Sequence, residues 1–198
     1  HAARVMDRPV SAANVNPRGL RDLRTSAPPS NGTTVYTLRE APDAVVSNDA
    51  TSAESEQFRR LVNYLTDPSL APNQAIAVTS ALPGDGKSLV SLNLALSMAK
   101  LKSGDTLLID GDLRREGLSS VIAPTPRRGL FDVLADPSLL DESILALDGT
   151  RLSVIPSGSS DDGPAPEISV DRMLPIVARL RERYSRIVID TPPVIPFS

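Results

Sequence analysis

The stretch "AIAVTSALPGDGKSLVSLNLALSMAKL", Ala75 to Leu101, decides the fold. Its first part, Ala75 to Ser80, is a short apolar run of buried-strand length. Its last part, from Lys87, is apolar over most of a helical circumference. Between them lies "SALPGDGKS", Ser80 to Ser88. A tight turn between a buried strand and a helix N-terminus aims several backbone N–H groups at one point. Those donors and the helix dipole make an anion site. The glycines Gly84 and Gly86 remove side chains where backbone must wrap phosphate. Lys87 can reach β- and γ-phosphates, and Ser88 offers a hydroxyl to Mg²⁺. The pattern G-x-x-x-x-G-K-[ST] is met except at Ala81, where one methyl replaces its first glycine. A Gly-Pro turn that merely precedes Lys-Ser is the bland alternative, and the strand–loop–helix setting weighs against it.

Outward from the loop the chain alternates apolar runs with helical patterns. "TLLIDGD", "LSVIPSG" and "RIVIDTPP" are continuous apolar runs of strand length. "SAESEQFRRLVNYL" offers Ser52 as N-cap, acidic residues in its first turn, and Phe58, Leu61, Val62 and Leu65 on one face. "GLFDVLAD" and "DESILAL" are predicted as short helices. "MLPIVARLRERY" carries Met173, Val177, Leu180 and Tyr184 at helical spacing, with Pro175 tolerable in a first turn. Apolar strands alternating with helices predict an α/β fold of the Rossmann-like P-loop NTPase type: three layers around a mostly parallel sheet covered on both faces. The ligand then lies at the carboxyl ends of the strands.

Two of those strands end in acid. "LLIDGDLRR" carries Asp110 and Asp112, and alternation puts their carboxylates on one side. "IVIDTPP" carries Asp190. Carboxylates at strand ends beside a phosphate loop are the expected way to hold hydrated Mg²⁺. Asp110 and Asp190 are assigned mainly to the metal and its water shell, together with Ser88. Asp112 is the candidate base for an attacking hydroxyl. Each Asp taken alone also fits a simple helix or turn cap. Arg114 and Arg115 read equally as phosphate neutralisers or as solvated charges.

The bulk composition narrows the function classes. The 198 residues are 40% hydrophobic but only 3% aromatic, so the core is built from Leu, Val, Ile and Ala. A net charge of -3 argues against a dedicated nucleic-acid binder. There is no cysteine and His1 is the sole histidine, which removes disulfides, thiolate metal sites and Ser-His triads. No run reaches about 18 apolar residues, the minimum for a membrane-spanning helix. Residues 1–50 are rich in Ser, Pro, Asn, Thr and Ala and read as a flexible linker, with one short extended piece at Thr34 to Leu38. Residues 51–198 read as the folded P-loop domain. The chain lacks an initial Met and stops shortly after "IVIDTPPV", so a fragment incomplete at its C-terminus is expected.

From Ser52 to Ser198 the chain resembles the bacterial tyrosine kinases, or BY-kinases. "SALPGDGKS", "LLIDGDLRR" and "IVIDTPPV" resemble their Walker A, Walker A′ and Walker B motifs, and "GLFDVL", "LSVIPSG" and "PAPE" resemble the region between. The resemblance implies ATP and Mg²⁺ as cofactors and transfer of the γ-phosphoryl to tyrosine, mostly on a neighbouring copy. It implies Lys87, Asp110, Asp112 and Asp190 as catalytic residues, with nucleotide contacts from Pro83, Gly84, Asp85, Gly86, Lys87, Ser88 and Leu89. Implied partners are further copies of the chain and a membrane polysaccharide chain-length or co-polymerase protein, fused or separate, and no nucleic acid. The implied place is the cytoplasm at the inner face of the plasma membrane.

Partition and division-site ATPases share this fold but carry a second lysine where this loop has Leu82. The alternatives are therefore a non-kinase ATPase switch, which Leu82 counts against, and a nucleotide-binding partner module, which the intact acidic set counts against. The family's E-x-x-R-x-x-R helix, which helps build a ring of subunits, is met at Glu56 and Arg59 but not at Val62. Glu116 stands where Pro is common. The family's tyrosine-rich tail lies beyond Ser198, and so do further strands and part of the base pocket. An uncovered sheet edge and a poorly soluble or inactive fragment are expected on that account. Of the three tyrosines, Tyr64 and Tyr184 are expected in the core and Tyr36 in the flexible segment.

Overall fold

Five short apolar strands form one sheet, and helices carry the chain between its parallel members. The computed structural model describes residues 34–39, 49, 51–67, 69, 75–113, 117–158 and 168–195. Most of the 1–50 linker, the "APN" break, Arg114, Arg115, Glu116 and "PAPE" lie outside the described residues. Residues 35–198 form one compact unit.

In chain order the elements are β1 (Thr37–Leu38), α1 (Ala53–Leu65), β2 (Ala75–Val78), α2 (Lys87–Ala99), β3 (Thr106–Asp110), a 3₁₀ turn (Leu118–Val121) and β4 (Ile122–Ala123). Then come α3 (Leu130–Ala135), a 3₁₀ helix (Pro137–Ser143), β5 (Leu145–Ala146), β6 (Leu152–Ile155), α4 (Val170–Arg181) and β7 (Arg186–Asp190). The main sheet runs β2-β7-β3-β6-β5. All its pairs are parallel except β5 with β6. Two cores sandwich it, as alternation along the strands demands. Leu108, Val188 and Val154 pack with Val62 of α1 and Leu92 and Leu96 of α2. Leu107, Ile109 and Ile187 face the other way, against Leu130 and Val133 of α3 and Ile176 and Leu180 of α4. Asp110 and Asp190 continue the α2-facing rows two residues beyond Leu108 and Val188, directly opposite one another in register.

Ser52 caps α1 as its sequence implies, accepting from the Ser55 N–H at 3.1 Å. Five expectations need correction. Leu61 and Tyr64 are exposed, Tyr64 at 73%, because the buried side of α1 is Ser55, Phe58, Val62 and Leu65. Tyr184 is buried as expected. "DESILAL" is no α-helix: a 3₁₀ helix ends at Ser143, and Leu145 and Leu147 then bury at strand period while Ala146 faces out. Pro175 lies inside α4, past its first turn. The Asp171 carbonyl that loses its donor there sits on the exposed side, where water can replace the missing N–H. Among the described residues β2 lies at the sheet edge, with Ala75 and Ala77 exposed, rather than buried on both faces. Finally, Tyr36 docks on the body. It bridges Leu147, and β1 pairs antiparallel with β4, leaving Tyr36 half-buried against the α2-side core.

Candidate active site

The strand-to-helix turn after β2 is held open by its own atoms. Gly84 and Gly86 have φ of +92° and +85°, and a Cβ at either would meet nothing within 4 Å. Conformation, not crowding, is what this structure asks of these glycines. The Asp85 carboxylate turns back and accepts the Leu82 N–H at 2.8 Å, so it braces the loop. The far side of the loop is stitched to the chain after β7: the Val194 N–H donates to the Ser80 carbonyl at 3.0 Å, and Ile195 N–H to the Ala81 carbonyl at 3.2 Å. Gly86, in left-handed conformation, stands at the N-cap of α2 with no capping side chain, so the first N–H groups of α2 face the cleft. The cleft, about 250 Å³, is lined by Pro83, Gly84, Gly86, Lys87, Ser88, Leu89, Asp112 and Gly117.

Lys87 is 8% exposed and lies among acids. Its Nζ is 2.7 Å from Asp112 Oδ2 and 3.8 Å from Asp190 Oδ2, and donates to Ser88 Oγ at 3.2 Å. The Gly111 N–H donates to the Asp190 carbonyl at 2.8 Å, tying the turn after β3 to the end of β7. Asp110 Oδ1 accepts the Asp112 N–H at 3.3 Å, and its Oδ2 accepts the Leu118 N–H at 3.2 Å. Burial, and then the charge of Asp190, push the Asp110 carboxyl up to about 7. Burial also raises Asp190, against the pull of the neighbouring Ser88 hydroxyl, Lys87 ammonium and Ser91 hydroxyl. Asp190 Oδ2 is buried without a hydrogen-bond partner among the described residues. Two crowded, hard-to-ionise carboxylates and one orphaned oxygen suit a cation.

The donor set fits Mg²⁺: hard oxygens from Ser88, Asp110 and Asp190 at the mouth of a phosphate loop. Among the described residues no three His, Cys, Asp or Glu side chains close into a cage of their own. Mg²⁺ bound with nucleotides takes one or two carboxylates and completes its shell with phosphate oxygens and water.

The structure thus brings together Pro83, Gly84, Gly86, Lys87, Ser88 and Leu89 with Asp110, Asp112 and Asp190. It turns the Asp85 side chain away from the cleft. Sequence reasoning missed Gly117 and Ser91. A Cβ on Gly117 would lie 3.5 Å from Ser88 Oγ and 3.9 Å from Asp110 Oδ2. No sequence pattern marks that position. Ser91 was findable: it lies one helical turn after Lys87, on the same face.

The geometry has close relatives. The solved VpsO kinase domain superposes with a TM-score of 0.60 at 30% identity, covering 74% of this chain and 76% of that one. The tyrosine-protein kinase YwqD of Bacillus subtilis is 29% identical over 154 residues, 77% of this chain and 65% of its own. The chain belongs to the bacterial tyrosine kinases. The succinoglycan biosynthesis transport protein ExoP of Rhizobium meliloti is 30% identical over 158 residues, which is 77% of this chain and 20% of ExoP. The chain therefore spans less than two thirds of each of these curated relatives. No family model matches it. As a member of that family it has the P-loop NTPase fold, with the phosphate loop after β2 and two acidic strand ends beside it.

Proposed function

We propose that residues 51–198 are the ATP-binding body of a kinase that transfers the γ-phosphoryl of Mg·ATP to tyrosine, mainly on another copy of the chain. The observation that carries this reading is Lys87 held between Asp112 and Asp190 above a phosphate loop. The loop N–H groups and Lys87 receive the phosphates. Bound Mg²⁺, on Ser88, Asp110 and Asp190, supplies positive charge against the transferring group. The phenol oxygen bonds to the γ-phosphorus as the bridging P–O bond breaks, ADP leaves, and the phenol proton passes to Asp112. Asp112 is the acid nearest Lys87, and once phosphate draws the ammonium away its carboxylate is left to take that proton. Leu82 cannot lend a cation to a second copy's phosphates, which favours the kinase over an ATPase switch.

The setting is polysaccharide assembly or export, by likeness to ExoP. Among the described residues no helix is long and apolar enough to cross a membrane. We place the kinase at the inner face of the plasma membrane through a chain-length or co-polymerase protein, fused or separate.

The test uses the full gene product with Mg·ATP beside a Lys87→Ala control, and maps phosphate by mass spectrometry. Phosphotyrosine that is absent from the control is expected. Phosphate release without phosphotyrosine would replace the kinase by an ATPase switch. Binding of ATP with neither product, with the membrane partner supplied, would leave a nucleotide-binding partner module.

A further inference from the structure

Ser91 lies wholly buried on α2, one turn after Lys87. Its Oγ is 2.9 Å from the Lys87 carbonyl and 3.3 Å from Asp190 Oδ1. A hydroxyl has one proton and two acceptor lone pairs. Turned to the carbonyl, it presents lone pairs to the Asp190 carboxylate. Turned to Asp190, it makes a charge-assisted bond, the stronger of the two. The other oxygen of Asp190, Oδ2, is the orphaned one, on the side of Lys87. Asp190 comes from β7 and Ser91 from α2, so this contact also fixes the strand end against the helix that carries the phosphate loop.

We infer that Ser91 is the positioning residue for Asp190. It occupies Oδ1, fixes the carboxylate plane, and leaves Oδ2 directed at the cation that accompanies the nucleotide. This rests on the nucleotide-site reading above and adds a residue to it. Ser91 does not touch the nucleotide. Its effect belongs to the metal step alone, and it acts only through Asp190.

The test is ATP binding to the full chain by calorimetry, once in EDTA and once across a Mg²⁺ titration, with thermal unfolding of the empty protein alongside. Losing a hydrogen bond to a charged group should raise the Mg²⁺ concentration for half-effect about 10- to 150-fold in Ser91→Ala. ATP binding in EDTA should change by less than about twofold, and the unfolding midpoint by a few degrees at most. In an Asp190→Asn background the same substitution should add nothing. A lower midpoint with an unchanged Mg²⁺ requirement would mean that Ser91 merely ties the helix together, and would overturn the inference. An undiminished effect in the Asp190→Asn background would overturn it as well. If the wild-type chain binds no ATP under either condition, the nucleotide-site reading falls and takes this inference with it.

Discussion

Removing the proposed base should tighten nucleotide binding. Lys87 Nζ is 2.7 Å from Asp112 Oδ2, with side-chain exposures of 8% and 5%. Phosphate needs the same ammonium, so binding must first separate this pair. At 2.7 Å and an effective dielectric constant of about 20 the gross attraction is about 6 kcal/mol. The net value is smaller. Asp190 remains 3.8 Å from the ammonium, and an amide at 112 still accepts a hydrogen bond. A net loss of about 1–3 kcal/mol is reasonable for Asp112→Asn. That loss falls on the empty state. In the loaded state Lys87 has moved to phosphate and no longer depends on Asp112. The cycle then requires affinity to rise as empty-state stability falls. Because about 1.4 kcal/mol is a factor of ten, ADP in EDTA should bind about tenfold tighter to Asp112→Asn, while phosphoryl transfer is lost. Asp110→Asn is the control for bulk charge, since Asp110 forms no ion pair with Lys87. The assay is an ADP titration of both variants at pH 8 and low salt. Unchanged or weaker binding by Asp112→Asn, or an equal gain in the control, would refute the reasoning.

Three further outcomes follow from the same geometry. Because the Asp110 carboxyl stands at about 7 in the folded chain against its ordinary value of 3.8, the folded state holds a proton that the unfolded state has lost across that window. Stability of the empty protein should fall from about pH 4 to about pH 7, by on the order of 4 kcal/mol, and level off above. Asp110→Asn should flatten most of that slope in denaturant titrations, and a flat wild-type profile would contradict the assignment. Gly86→Ala meets no atom within 4 Å but must hold φ near +85°, so it should cost about 1–2 kcal/mol by chemical denaturation. Tyr64→Ala should leave stability within about 0.5 kcal/mol, whereas Tyr184→Ala should cost about 3 kcal/mol, and the reverse order would mean that α1 packs by its other face.

The fold was legible where one residue class repeats at one period. Leu107 to Asp110 and Ile187 to Asp190 could only be buried strands, and their acids had to fall beside the helix that begins at Lys87. Legibility failed where two periods compete over a few residues. Leu145 and Leu147 fit a helix turn as well as a strand, and pairing with β6 decides it. Tyr64 sits three residues after Leu61 and looks like part of an apolar stripe. The helix turns both outward, because Val62 and Phe58 already fill the contact with α2. In the site, the glycines, Lys87, Ser88 and the acids were readable from type and spacing. The Lys87–Asp112 pair was not, since it joins the start of α2 to the turn after β3, 25 positions away, through side-chain rotamers. Gly117 was unreadable because no pattern marks its position.

The place of β2 at the sheet edge has a dynamic consequence. Its ladder to β7, together with the bonds from Thr191, Val194 and Ile195, ties the phosphate loop and the Asp190 strand end into one piece. β3, by contrast, is paired on both sides. Amide hydrogen exchange should therefore show Ala75–Val78 opening more readily than Thr106–Asp110 in the empty protein. Nucleotide should slow exchange at Ala75–Val78 and Thr191–Ile195 together, because the loop cannot be steadied without steadying the segment stitched behind it.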